Sequence, residues 1–118
     1  MELIEYPPCT TCKKAKKWLE GRQIPFTTRH IVHNPLTLEE IKTIHEQSGF
    51  PIKRLFNTNG LRYRELGLKD KLDKLTLSEA YALLASDGML VRRPVLIDGN
   101  TVEIGFKEDN YQGLWQGL

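Results

Sequence analysis

Two strand-bearing ends held apart by a long helical middle constrain this chain more than any other feature. Residues 3–6 read as a strand broken by Pro7-Pro8, 11–20 as a helix, and 26–31 as a second strand opened by Pro25. Ala15, Trp18 and Leu19 give that helix its apolar face, and Gly21 is the expected stop. Strand, helix, strand is the pattern of a parallel βαβ unit with a right-handed crossover. At the far end, Val95-Leu96-Ile97 is a buried-strand run, Asp98-Gly99-Asn100 a hairpin turn, and 101–104 the returning strand. A final amphipathic helix is expected over 108–115.

The middle, 34–87, reads as helical throughout. Thr37 and Glu40 have capping-box spacing, with Leu38, Ile41, Ile44 and His45 continuing the stripe until Gly49 and Pro51. Short helical pieces follow near 52–56 and 63–66. Thr76 and Glu79 form a second capping box, opening a helix that runs to Gly88. A parallel pair, a helical insertion and an antiparallel hairpin predict an α/β fold. Its core is a four-stranded mixed sheet with helices on its faces, the thioredoxin/glutaredoxin-like arrangement.

Cys9-Thr10-Thr11-Cys12 holds the only two cysteines and sits where the first strand meets the first helix. A thiol there meets unpaired amide N–H groups and the positive end of the helix dipole, both of which favour thiolate. Residues three apart share one helical face, so the pair can close a reversible disulfide. Thr10 and Thr11 are candidates to donate a hydroxyl or backbone N–H to the Cys9 sulfur, or simply to begin the helix. Lys13 and Lys14 add nearby positive charge, although such lysines are more often a solvated face. Two buried, inert cysteines would be the bland alternative. A zinc site is a further one, since His30 and His33 could complete four ligands, but His-x-x-His is shorter than the usual spacing.

Composition narrows the function classes. A net charge of +2 is too small to argue for direct nucleic-acid binding or an anionic membrane, and no apolar run is long enough to span a bilayer. The first residues lack the basic and apolar regions of a signal peptide. Two cysteines do not make a secreted disulfide scaffold, so a cytoplasmic location is expected. Nothing calls for a cofactor or a metal.

The segments Tyr6 to Ala15, Tyr63-Arg64-Glu65-Leu66-Gly67-Leu68, and Leu90 to Asp98 with its Arg93-Pro94 together resemble the ArsC/Spx family, in particular its short C-x-x-C members. The resemblance covers nearly the whole chain. It implies one domain over 1–118, with 1–33 and 89–118 as the thioredoxin-like core and 34–88 as a helical insertion. It implies Cys9 as the nucleophile, Cys12 as the resolving thiol, and Arg93 as an oxyanion-binding arginine. It also implies a cis Pro94 beside the cysteine, with Thr10, Thr11 and Pro94 lining the substrate position. Arg92 is then expected to face solvent. Where the arsenate reductases carry two further arginines, this chain has Asn57 and Phe106, and one arginine is thin provision for a dianion; Arg54 or Arg62 could substitute. Thiol–disulfide exchange is the activity implied, with glutathione, bacillithiol or thioredoxin as reductant. The other function the resemblance implies is an Spx-like redox switch that binds the C-terminal domain of the RNA polymerase α subunit.

Overall fold

The chain forms two compact units in a computed structural model, one from Met1–His30 together with the chain from Arg93 onward, the other from Ile31–Arg92. The structure describes residues 1–114. Trp115, the expected end of the last helix, lies outside them.

The first unit contains β1 (Glu2–Glu5), α1 (Thr10–Gly21) and β2 (Thr27–His30), then β3 (Val95–Asp98), β4 (Thr101–Ile104) and α6 (Glu108–Leu114); numbering of helices follows chain order. Its strands form one sheet in the order β2-β1-β3-β4. β1 and β2 run parallel, with Leu3 opposite Thr28; β3 is antiparallel to both β1 and β4, with Leu3 opposite Leu96. This is the mixed four-stranded sheet that the order of sequence patterns predicts. One face of it holds Leu3 and Leu96, and α1 lays Ala15 and Leu19 on them, joined by Ile24 and Tyr111. Each large aliphatic side chain so buried contributes about 1.5–3 kcal/mol relative to exposure. Tyr111 is fully buried and meets Trp18 and Phe106 edge-on, at 5.5 and 4.7 Å between ring centroids.

α1 stops on its glycine, as expected, although Gly21 is its last helical residue and not a left-handed cap. The left-handed residue is Gln23 (φ 58°), after which Ile24 N–H donates to Leu19 O at 3.0 Å. The terminal turn is therefore closed by backbone bonds that deliver Ile24 to the core.

The second unit contains α2 (Leu38–Ser48), a 3-10 turn (Ile52–Leu55), α3 (Leu61–Glu65), α4 (Leu68–Lys71) and α5 (Leu77–Ser86), with further 3-10 turns at Leu72–Lys74 and Gly88–Leu90. Both expected capping boxes are formed. Thr37 Oγ1 accepts from Glu40 N and Glu40 Oε1 from Thr37 N, and the Thr76–Glu79 pair repeats the arrangement. α2 packs on α5, where His45 Nδ1 and Tyr81 Oη lie 2.6 Å apart.

This unit begins three residues before the segment 34–88 and ends four after it. Backbone pairing explains the later end: Phe56 bridges Val91, and Arg92 N–H donates to Leu55 O at 2.8 Å. At its start, a Cβ on buried Gly88 would lie 2.2 Å from Ile31 O, so only glycine permits the approach that ties Ile31 to this unit. Among the described residues, no helix is long and apolar enough to cross a membrane.

Candidate functional site

The two cysteines belong to the loop that carries the chain from β1 into α1. Cys9 N–H donates to Tyr6 O at 2.8 Å across Pro7-Pro8, which closes a turn and delivers Cys9 to the N-cap of α1. There Cys9 is extended (φ −71°, ψ 124°), its carbonyl accepts Lys13 N–H at 3.1 Å, and its sulfur accepts the Cys12 N–H at 3.4 Å. A helix start leaves N–H groups without intrahelical partners, and here a sulfur takes the place of the usual side-chain oxygen.

The pair is asymmetric. Cys9 is partly exposed, whereas Cys12 is fully buried, and both are free thiols. Burial by itself raises the Cys9 pKa. The N–H and thiol of Cys12, the N–H of Thr11 and the charge of Arg93 together outweigh that effect and hold it below the ordinary thiol value. Cys12 is pushed up to about 12, first by burial, with the Cys9 sulfur adding to the rise against a backbone hydrogen bond from Tyr6. At neutral pH the arrangement favours charge on the outer sulfur and keeps the inner one a thiol aimed at it.

Arg93 is half-buried just before β3, its guanidinium carbon 5.0 Å above the Tyr6 ring, and Tyr6 meets His30 edge-on at 5.8 Å. The Arg93–Pro94 peptide is cis, and Pro94 is buried with its carbonyl accepting Gly105 N–H at 2.8 Å. Thr10 and Thr11 begin α1 with exposed side chains; Thr11 reaches the sulfur through its backbone N–H. Cys9, Cys12, Thr11 and Arg93 therefore act on one another. Lys13 and Lys14 are exposed, and the cation felt by Cys9 is Arg93.

Other expected residues stand elsewhere. Phe106 packs on Tyr111 in the core of the first unit. Asn57 belongs to the second unit, where its N–H donates to Leu90 O at 2.8 Å. Arg62 is paired with Asp87 at 3.1 Å and Glu65 at 3.2 Å. Arg92 does not simply face solvent: its Nε donates to Arg54 O at 2.9 Å and its Nη2 to Thr58 Oγ1 at 3.3 Å. No cluster of three or more His, Cys, Asp or Glu able to hold a metal occurs among the described residues, and His33 is exposed. Sequence reasoning passed over Tyr6, whose backbone closes the cysteine turn and whose ring supports Arg93. An aromatic residue directly before a Pro-Pro-Cys turn was the available signal.

Comparison with known proteins agrees with this geometry. The ArsC family model matches residues 4–114. The uncharacterized protein YusI of Bacillus subtilis is 49% identical over 110 residues, covering 93% of each chain. The global transcriptional regulator Spx 1 of Bacillus cereus is 36% identical over 91% of this chain and 80% of its own. Among solved structures, an ArsC family related protein from Bacteroides fragilis superposes with a TM-score of 0.92 at 44% identity, over 96% of this chain and 95% of that one. The "possible arsenate reductase" of Streptococcus mutans gives 0.86 at 41%, over 94% and 96%. A mixed thioredoxin-like sheet, a cysteine at the start of its first helix and a match over nearly the full length place this chain in the ArsC family.

Proposed function

We propose that the protein is a thiol–disulfide oxidoreductase in which Cys9 is the nucleophile and Cys12 the resolving thiol. The observation that carries this reading is the placement of the two sulfurs: Cys9 is partly exposed at the N-cap of α1 and accepts the Cys12 N–H, while Cys12 is buried one turn in, an arrangement that lowers the first pKa and raises the second. In the first step the Cys9 thiolate attacks a substrate disulfide, forming a mixed disulfide and releasing one substrate thiolate. Cys12 then loses its proton and attacks the Cys9 sulfur. The second substrate thiolate departs and a Cys9–Cys12 disulfide remains. The substrate gains two electrons, and an outside thiol (glutathione, bacillithiol or thioredoxin) returns them to the protein. Donors at the start of α1 and the Arg93 charge favour the Cys9 thiolate that attacks. Thr10, Thr11 and Pro94 would border the position of the substrate sulfur. A reducing cytoplasm is the compartment in which the pair would rest as dithiol.

Arsenate reduction is the less favoured chemistry. The positions at which the family's reductases carry two more arginines hold Asn57 and Phe106, and Phe106 is committed to the core. The likeness to Spx 1 supports a second reading, a redox-sensing regulator that binds the polymerase α C-terminal domain. A pull-down with that domain separates the two, since absence of binding in both redox states removes the regulator. For the enzyme, reduction of glutathione disulfide should fall to background in Cys9→Ser, and Cys12→Ser should accumulate a mixed disulfide visible by mass. A Cys9→Ser protein with full activity refutes the assignment.

A further inference from the structure

The second unit carries a cationic cleft that thiol exchange at Cys9 does not use. It measures about 330 Å³ and is lined by Pro51, Lys53, Arg54, Thr58 and Arg92. Three of these five residues are cationic, and none is acidic.

The cleft is built rather than incidental. Arg92 is held at two points, by the Arg54 carbonyl and the Thr58 hydroxyl, at 2.9 and 3.3 Å. The Arg54 guanidinium lies 5.0 Å over the Phe50 ring. Burial and then the adjacent Arg54 charge make Arg92 hold its proton less tightly than usual, so the two guanidinium groups stand close enough to repel. An anion between them would relieve that repulsion. The Thr58 hydroxyl, already accepting from Arg92, still has its own proton to donate.

We propose that this cleft binds a phosphate dianion, either free or as the head group of a small phosphomonoester. Beyond the two bonds that hold it, Arg92 has Nη1–H donors that can meet a tetrahedral oxyanion, and Lys53 adds a mobile point charge at the rim. A carboxylate brings one charge to a cleft lined by three cationic residues; a phosphate brings two. The volume falls at the small end of ligand pockets and exceeds what a bare phosphate fills, which leaves room for an attached group.

The test is a titration of the isotopically labelled full chain, followed by amide and arginine Nε–H resonances. Inorganic phosphate and phenyl phosphate are added separately at matched ionic strength. Saturable shifts confined to Lys53, Arg54, Thr58 and Arg92 are expected, and the tighter of the two probes identifies whether a free or an esterified phosphate is the better ligand. Arg54→Gln and, independently, the rim substitution Lys53→Gln should each weaken binding, the former about tenfold, as loss of a charge-assisted hydrogen bond does. Unsaturated shifts reproduced by sodium chloride would overturn the proposal. So would shifts that centre on Cys9 and Arg93, or an affinity unchanged in both folded variants.

Discussion

Three helix starts in this protein are built in two ways. In the second unit, α2 and α5 begin with a Thr-x-x-Glu box that satisfies backbone donors reciprocally, and acidic side chains occupy the first turn. In the first unit, α1 begins with a cysteine and has no acidic residue in its first turn. Sulfur is a weaker acceptor than a threonine or serine oxygen, so α1 has the poorer cap. The absence of carboxylate leaves its N–H groups and dipole to act on whatever charge Cys9 carries. α2 and α5 are capped by side-chain oxygens, and α1 by a cysteine sulfur, the group proposed to react.

This contrast can be broken at either end. Cys9→Ser has the largest expected effect: exchange falls to background while the fold is kept, as circular dichroism and a disulfide-reduction assay would show. On the other side, Thr37→Ala and Thr76→Ala should each cost about 1 kcal/mol in denaturant unfolding, with thiol reactivity unaltered. If either alanine changed Cys9 alkylation, the helix starts would not be separate in function. Arg93→Gln removes the one charged side chain acting to lower the Cys9 pKa, so alkylation at neutral pH should slow several-fold. An unchanged rate would leave the effect to backbone donors alone. The smallest effect has the opposite sign to the threonine variants: Cys9→Ser should unfold at equal or slightly higher denaturant, because an oxygen replaces sulfur as the cap. Marked destabilisation would show that the sulfur is structural.

What could be read from the sequence follows how local its causes are. Both capping boxes are contained within four residues, and both formed as read. The order of sheet elements was legible because the alternation of strand and helix patterns limits the possible pairings. The stop of α1 falls on Gly21 as read, but the left-handed turn beyond it is made by Gln23, which no turn residue in the sequence announces. Arg92 was misjudged for a different reason. Its partners Arg54 and Thr58 lie 38 and 34 residues away, and no local pattern reports them. The asymmetry of the cysteines was equally hidden: spacing puts both at the start of α1, but only packing makes Cys12 inaccessible and Cys9 reachable.

The most direct measurement is the alkylation rate of the reduced protein as a function of pH, with Cys12→Ser as control. Cys9 should titrate below the free-thiol value of about 8.5, so that reactivity is lost only as pH falls through that lowered pKa. Cys12 in the intact fold should stay unmodified until alkali approaches its own pKa of about 12. Both thiols reacting together, with an unperturbed midpoint, would contradict the account.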